Sequence, residues 1–174
     1  MKKEKSPAAL LFQAVTVSHE ALFKPIEIIM QKEYGLFLQK SQIFNFSSVS
    51  TYYDREMGHH CLKRFYFFKR TILLEYIHRY KLESQRLETE WSVDGKRRIN
   101  MDPGFLTLYQ FCLLTTKGFS HRPYLAEGIY CDLTLMADGS GFKSLPWTYP
   151  DYKTTETLRF MRQAKKYLKN DLNN

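Results

Sequence analysis

The sequence predicts a single-domain α+β sandwich, in which a mixed or antiparallel sheet carries helices mainly on one face. Its 174 residues, 44% of them hydrophobic, are enough for one packed core. Helical and strand patterns mix without the strict rhythm of a βαβ fold, and the turn at 137–141 predicts an antiparallel hairpin. The first half of the chain is compatible with a partly ferredoxin-like arrangement.

The chain is expected to divide into a mobile basic leader, residues 1–7, and one domain, residues 8–174. Residues 8–17 follow several lysines, as in a signal peptide, but the apolar run is short and lacks a convincing cleavage site. We therefore interpret this run as the first strand. There is no internal repeat or low-complexity linker that would split the domain.

The first half of the domain predicts two strands around a helix. Residues 10–17 are apolar and β-branched, which is typical of a buried strand. Residues 19–34 show helical spacing after Ser18, a candidate N-cap, although Pro25 predicts a later start or a kink. Gly35 then marks the end of the helix. Residues 36–46 form the second predicted strand, with 43–46 as its more convincing half.

A third strand and the clearest helix follow. Residues 62–68 predict the strand, and residues 72–91 carry apolar side chains every three or four positions, as in an amphipathic helix. Lys81, Gln85 and Glu88 form a polar row beside that apolar stripe. We interpret this row as a solvated flank of the helix unless it faces a pocket.

The next stretch predicts a strand over 96–101 that ends in a turn at 102–104. Residues 107–116 are a continuous apolar run whose periodicity does not separate helix from strand, and we favour a helix capped by Thr107. Residues 117–125 are expected to form a loop.

Residues 128–136 predict a strand whose side chains alternate between two faces. Tyr130, Asp132 and Thr134 share the face expected to meet a cavity or solvent, and the core face is assigned to Ile129, Cys131, Leu133 and Leu135. After the hairpin turn come an aromatic, proline-stiffened loop over 146–152 and a last amphipathic helix over 154–168.

Charge and cysteine content limit the function classes. The net charge is +8 and the isoelectric point about 9.3, which fits either a polyanionic partner or an ordinary solvated basic surface. The three cysteines include no C-x-x-C pair, as expected in a reducing compartment. No apolar run approaches the ~20 residues of a membrane span. We expect a cytoplasmic protein without a membrane partner, and the sequence leaves its oligomeric state open.

Polar residues concentrate near turns between 96 and 135, where a pocket is expected. In an enzyme, His121 would be the acid or base, and Asp102 or Asp132 would orient it or bind a divalent metal. Arg122 and Lys117 would hold a phosphate or carboxylate. Asn100 belongs to the same set. The ligand expected is a small anionic or phosphate-bearing molecule, a nucleotide or phosphometabolite; the residues leave any cofactor and metal unspecified.

Each of these residues also has a structural alternative. Asp102 can cap a turn, His121 can be an ordinary loop histidine, and Arg122 can pair with Glu127. The adjacent His59, His60 and Cys61 lack regular ligand spacing, so a metal site there is disfavoured.

The competing function class is a non-catalytic protein that binds RNA or a nucleotide. The positive charge supports it, together with a set of tyrosines and a tryptophan that would stack on bases: Tyr52, Tyr53, Trp147, Tyr149 and Tyr152. No pattern of a known RNA-binding module occurs. Nor does the G-x-x-x-x-G-K-[ST] phosphate loop or the G-x-S-x-G motif of a serine nucleophile.

The chain resembles the domain-of-unknown-function family 4416 of prokaryotic proteins. The resemblance covers residue 10 to the final helix and rests on these residues: Tyr52, Tyr53, Glu56, Met57, Gly58, Lys81, Glu88, Asn100, Asp102, Pro103, Gly104, Lys117, His121, Arg122, Tyr124, Leu125, Gly128, Ile129, Tyr130 and the 147–152 segment. It departs from the family at 46–51, which usually contains an aspartate, and at Gln85, usually an asparagine. The family implies no activity for these residues. Our further ligand-binding candidates are Tyr53, Glu56, Tyr124, Tyr130, Trp147, Tyr149 and Asp151.

Overall fold

The computed structural model describes residues 7–48, 50 and 54–173, which form one antiparallel sheet with helices on both faces. Residues 1–6 of the predicted leader lie outside the described residues. The strands are β1 (Ala9–Val17), β2 (Phe37–Lys40), β3 (Phe44–Asn45), β4 (Leu62–Ile72), β5 (Ile99–Leu106), β6 (Gln110–Thr115), β7 (Tyr124–Ala126), β8 (Ile129–Asp138) and β9 (Gly141–Ser144). Their order across the sheet is β2-β4-β1-β5-β6-β8-β7, with β3 beside β4 and β9 beside β8.

The helices are α1 (Phe23–Tyr34), α2 (Asp54–Met57), α3 (His78–Glu90), α4 (Pro150–Lys153) and α5 (Thr155–Asp171). Apolar side chains of α1 and α3, such as Ile26 and Leu87, pack on one face of the sheet. Those of α5, such as Phe160 and Leu168, pack on the other. The predicted α+β class is confirmed.

Strand β1 is the centre of the sheet, and its burial explains its composition. Every residue of β1 is buried, because β4 and β5 pair with its two edges and the helices cover its two faces. A strand covered on both faces is a continuous apolar run, and not an alternating one. The predicted strand over 10–17 is confirmed.

The first helix begins later than the pattern suggested. A short 3₁₀ turn over Glu20–Leu22 precedes α1, and His19 caps it by accepting a hydrogen bond from the Ala21 N–H through Nδ1. Ser18 is therefore not the cap. Pro25 lies in the first turn of α1, where the absence of an N–H is tolerated. Gly35 ends the helix with φ +94°, a left-handed value that favours glycine.

The predicted strand over 36–46 is two short pieces, β2 and β3, and the earlier half is the longer one. The predicted strand over 62–68 extends to Ile72 because it pairs with β1 over almost its whole length. This extension takes up the start of the helix predicted over 72–91, so α3 begins at His78.

The turn predicted at 102–104 is wrong, because β5 continues through these residues to Leu106. Both the N–H and the C=O of Met101 bind side chains of α3, so they point away from β1. Pro103 lies two residues further along and therefore has the same orientation. The N–H that Pro103 lacks would point toward β6, and β5 pairs with β6 only from Gly104 onward. No strand-pairing hydrogen bond to β6 is therefore lost at Pro103.

The helix predicted over 107–116 is also wrong: β6 occupies 110–115 and forms a tight hairpin with β5. Thr107 does accept hydrogen bonds from backbone N–H groups, those of Tyr109 and Gln110, but it stabilises the hairpin turn and not a helix. Pairing with β5 and β8, and burial on both faces, favour a strand for this apolar run.

Strand β8 confirms the position predicted over 128–136, but two face assignments fail. Thr134, expected to face a cavity or solvent, is fully buried, and its hydroxyl donates to the Asp132 carbonyl at 3.0 Å. The other is Leu135. Ile129, Cys131 and Leu133 pack on the α1 and α3 side, as expected, whereas Leu135 belongs to the core beneath α5. The cause is an irregularity in the pairing with β6, where Phe111 opposes Leu135 but Cys112 opposes Leu133. An extra residue at this point reverses the alternation.

Candidate functional site

A cavity of about 410 Å³ lies where β5 and β6 separate. The two strands pair only where residues 104–106 oppose 111–113. Continued in the same register, the pairing would place Asp102 opposite Thr115, but the strands part there and both residues line the cavity. Polar side chains of the two strand ends therefore face a shared space.

Helix α3 satisfies the backbone that the separation of the strands leaves open. Lys81 donates a hydrogen bond from Nζ to the Met101 carbonyl at 3.0 Å, and Glu88 accepts one from the Met101 N–H at 2.6 Å. Buried backbone groups need such partners. The polar row of α3, Lys81, Gln85 and Glu88, lines the cavity and is not a solvated flank.

Asp102 lies at the centre of this wall. Its Oδ1 atom is 3.2 Å from Lys81 Nζ, and its Oδ2 atom accepts a hydrogen bond from Asn100 Nδ2 at 2.8 Å. Burial alone would raise the pKa of Asp102, but the charges of Lys81 and Lys63 and the two hydrogen bonds outweigh it, so the pKa lies below its usual value. Asp102 is therefore a carboxylate at neutral pH.

Glu88 and Arg97 continue the network toward the surface. Arg97 donates to Glu88 at 3.3 Å and to Asn100 Oδ1 at 3.1 Å, and its other terminal nitrogen binds Glu56. Burial raises the pKa of Glu88, although Lys81, the Met101 N–H and Arg97 act in the opposite direction. Two carboxyl groups of one cavity thus have pKa values shifted in opposite directions.

A second ion pair, that of Lys63 and Asp151, also lines the cavity. Lys63 Nζ lies 2.7 Å from Asp151 Oδ2, and only 5% and 3% of their side chains are exposed. The ammonium also lies over the rings of Phe46, Phe65 and Tyr152, at 4.5, 5.6 and 5.4 Å from their centroids. Asp151 is the only hydrogen-bond acceptor of Lys63 in the part of the chain that the structure describes.

Asp132 lines the cavity, and Arg122 holds it in place from outside the lining formed by the described residues. Arg122 Nε donates to the buried Asp132 carboxylate at 2.8 Å. Its two terminal nitrogens donate to the Lys117 carbonyl at 3.1 Å and to the Tyr149 hydroxyl at 2.8 Å. All three guanidinium nitrogens are therefore engaged within the protein, and Arg122 ties the 117–122 loop to β8 and to the 146–149 loop. Its pairing is with Asp132 and not with Glu127.

His121 lies near Asp132 but outside the lining formed by the described residues. Its ring stacks on Trp147 with centroids 4.6 Å apart, and Trp147 Nε1 donates to the Leu133 carbonyl at 2.7 Å. His121 Nε2 is 3.7 Å from Asp132 Oδ2, beyond hydrogen-bond distance, and has no hydrogen-bond partner among the described residues.

The structure brings together about half of the predicted site. Seven of the predicted residues line the cavity: Glu56, Asn100, Asp102, Lys117, Asp132, Tyr149 and Asp151. Five lie outside the lining formed by the described residues: His121, Arg122, Tyr124, Tyr130 and Trp147. Tyr124 and Tyr130 contact each other edge to face at 5.4 Å. Tyr53, like Tyr52, lies outside the described residues.

Lys63 is the cavity residue that sequence reasoning missed. It lies in the aromatic run of β4, where the sequence pattern indicates an ordinary strand residue. Every second residue of a strand lies on the same face, so Lys63 shares a face of β4 with Phe65 and Phe67, which belong to the core. A lysine on a core-facing side of a strand could have been recognised as a buried cation with a partner, since lysine is rarely buried without one.

The structure also bears on metal sites and on membrane-spanning helices. Within residues 7–48, 50 and 54–173, no group of three or more histidine, cysteine, aspartate or glutamate side chains is placed to hold a metal ion. Over the same residues, no helix combines the length and the apolar character needed to cross a membrane.

Comparison with known proteins places the chain in a family. Residues 7–167 match the model of the domain of unknown function DUF4416, which covers most of the chain, so the protein belongs to that family. Neither a curated protein nor a solved structure matches the chain.

Proposed function

We propose that this member of the DUF4416 family binds a small phosphate-bearing ligand in the cavity between β5 and β6. The proposal rests on Lys63, a buried lysine that lines the cavity. An ammonium has three N–H donors, and among the described residues Lys63 uses one of them, on Asp151. A buried cation with unused donors at a cavity wall is a suitable anchor for an anionic oxygen.

Lys81 is the second anchor. It also lines the cavity, is buried to a similar degree, and binds the Met101 carbonyl and Asp102. Its remaining donor is available to a ligand. The anchoring cations are thus Lys63 and Lys81, and Arg122 has the positioning role described above.

The charges of the lining restrict the ligand further. Lys63 pairs with Asp151, Lys81 with Asp102, and Arg97 with Glu56 and Glu88. A bare anion would meet these carboxylates as well as the cations and would be repelled by them. A phosphate ester that also carries hydroxyl or amino groups satisfies both kinds of partner. Nucleotides and sugar phosphates have this chemistry, and a cavity of about 410 Å³ is of the size that holds small ligands.

Base stacking at the predicted aromatic residues receives less support. Tyr152 contributes to the cavity lining, but its ring is buried beneath α5 and already stacks on Phe65 and Phe111, which leaves it poorly exposed for a base. Tyr149 keeps a partly exposed ring, but its hydroxyl accepts a hydrogen bond from Arg122.

The test is a thermal-shift screen of nucleoside monophosphates and sugar phosphates, each beside its parent nucleoside or sugar at equal ionic strength. A ligand at ~100 times its Kd stabilises the fold by about 2.7 kcal/mol. For a chain of this size that shift corresponds to roughly 5–10 °C in Tm. We expect the phosphate ester to raise Tm and its parent to leave it unchanged. Equal shifts with and without the phosphate would contradict the proposal.

The variants that localise binding are the double substitution Lys63→Met with Asp151→Asn and the control Lys166→Met. Removing both members of the buried pair avoids leaving an unpaired charge. We expect the double variant to fold and to lose at least about tenfold in affinity for the identified ester, as for the loss of a charge-assisted hydrogen bond. The control removes an exposed lysine of α5 and should bind like the wild type. A folded double variant with unchanged affinity would exclude Lys63 as an anchor.

A further inference from the structure

Helix α5 presents a row of four cations that is separate from the cavity. Arg159, Arg162, Lys166 and Lys169, here called the basic stripe, are three and four residues apart and all are exposed. This spacing places them on one face of the helix, about 4.5–6 Å apart along its axis. The stripe is therefore a straight line of positive charge on a rigid element.

The stripe has no acidic ion-pair partner among the described residues. None of its four side chains makes an ion pair or a hydrogen bond with another residue in the part of the chain that the structure describes. The carboxylates of α5, Glu156 and Asp171, lie near its two ends, outside the stripe. By contrast, Arg86 on α3 is exposed too but is paired with both Glu83 and Glu90.

The packing around α5 keeps these cations directed outward. The apolar side of the helix, including Phe160, Met161 and Leu168, is buried against the sheet. Lys165 lies beside the stripe and is occupied differently, since its Nζ donates to the carbonyls of Gly139 and Gly141 and so fastens α5 to the β8–β9 hairpin. The helix is thus fixed in place with one face left to solvent.

We infer that the basic stripe binds the phosphate backbone of double-stranded nucleic acid without reading its sequence. A line of exposed cations complements the regularly spaced phosphates of a duplex, and their neutralisation releases condensed counterions. Single strands are usually held by stacking on exposed aromatic rings, whereas the two aromatic side chains of α5, Phe160 and Tyr167, are buried and partly buried against the core. Insertion into a membrane would require the apolar face of α5, which the sheet already covers.

The experiment is fluorescence anisotropy with a labelled random-sequence duplex of about 20 base pairs, titrated between about 50 and about 200 mM salt. If all four cations contact phosphates, the logarithm of the binding constant should fall with the logarithm of the salt concentration with a slope of about −3.6, or about −0.9 per contact. Each single substitution to glutamine should reduce the magnitude of this slope by about 0.9.

The decisive comparison uses two quadruple variants with the same change in net charge. One replaces the stripe: Arg159→Gln, Arg162→Gln, Lys166→Gln and Lys169→Gln. The other replaces four exposed cations on α1 and at the end of β4: Lys24→Gln, Lys32→Gln, Lys69→Gln and Arg70→Gln. We expect the first to lose duplex binding and the second to retain the slope of the wild type.

Three outcomes would overturn the inference: equal losses in the two quadruple variants, no duplex binding by the wild type, or a preference for single strands that survives removal of the stripe. The cavity variant with Lys63→Met and Asp151→Asn should bind the duplex normally. Failure of the small-ligand proposal and failure of this inference are therefore distinguished by separate measurements.

Discussion

The cavity and the basic stripe use the same residue types in opposite ways. Lys63 and Lys81 are buried, and each lies against a carboxylate, Asp151 or Asp102. Arg162 and Lys166 are exposed and have no such partner among the described residues. A cation removed from water needs a counter-charge, whereas an exposed one is solvated and screened by salt.

The difference in burial determines how substitutions in the two regions affect stability and binding. Loss of a buried cation leaves its carboxylate without compensation, so the fold itself is affected. Loss of an exposed cation changes the surface potential and leaves the fold intact. Substitutions in the cavity should therefore act on stability and ligand binding together, and substitutions in the stripe on nucleic-acid binding alone.

The largest effect is expected for Lys63→Met. It leaves Asp151, 3% exposed, as an unpaired buried carboxylate, and the free energy of unfolding should fall by about 3–5 kcal/mol. Lys166→Met should change it by less than about 0.5 kcal/mol. Urea denaturation at neutral pH measures both values.

The double variant with Asp151→Asn is the control for this interpretation. Because it removes both charges, most of the lost stability should return. If the single variants at Lys63 and Lys166 were equally stable, the contrast between the two regions would not hold.

Two glycines provide a second contrast, of intermediate size. A Cβ atom at Gly104, in the last paired segment before β5 and β6 part, would overlap the backbone carbonyl oxygen of Cys112. Backbone in a sheet cannot move aside, so Gly104→Ala should cost about 3 kcal/mol. A Cβ atom at Gly141 would lie 3.0 Å from Nε of Arg162, an exposed and flexible side chain that can swing away. Gly141→Ala should stay within about 1 kcal/mol of the wild type.

Thermal or urea unfolding of the two alanine variants compares them directly. The cavity should respond to Gly104→Ala as well, because separation of β5 from β6 displaces Asp102. Gly104→Ala should leave duplex binding by the stripe unchanged, because the atoms nearest to the added Cβ belong to β6 and not to α5. A larger loss of stability at Gly141 than at Gly104 would reverse the assignment of rigid and adaptable surroundings.

The sequence predicted those parts of the fold whose patterns do not depend on distant partners. The sequence pattern was sufficient to predict three features: the apolar run of β1, the end of α1 at Gly35 and the amphipathic pattern of α5. The predictions failed where strand pairing determines the local structure. Asp102-Pro103-Gly104 has the composition of a turn, yet β1 holds it in a strand. Leu135 changes face because of an irregularity in the pairing with β6 that the period of two does not encode.

The candidate site shows the same limit. Asn100, Asp102 and Asp132 were identifiable as polar residues beside apolar strands, and the structure places them on one cavity. The functional reading of Arg122 depended on its being available, which only the three-dimensional partners Asp132 and Tyr149 decide. Lys63 was missed because its partner, Asp151, lies 88 positions along the chain.

The smallest effect concerns the acid stability of the cavity, tested with Asp102→Asn. The pKa of Asp102 in the folded protein is below its unfolded value of about 3.9. Its ionised form therefore contributes stability that is complete above the unfolded pKa and is lost as the pH falls through the folded pKa. Asp102 keeps 27% of its side chain exposed, so solvent screens part of the interaction and the contribution is modest.

The measurement is the free energy of unfolding in urea, for the wild type and Asp102→Asn, between pH 7 and pH 3. The wild type should be the more stable at neutral pH, and the difference should shrink as the pH falls below about 4, because the Asp102 carboxyl of the unfolded chain is then protonated while that of the folded protein stays ionised. Burial raises the pKa of Glu88, and the charge of Asp102 adds to that rise, so Glu88 acts in the opposite direction and at higher pH. Its effect should be smaller in Asp102→Asn, which lacks that charge. A difference that stays constant down to pH 3 would show that Asp102 is not held ionised by Lys81 and Asn100. The basic stripe contains no carboxylate, so its duplex binding should be unaffected by this substitution at neutral pH.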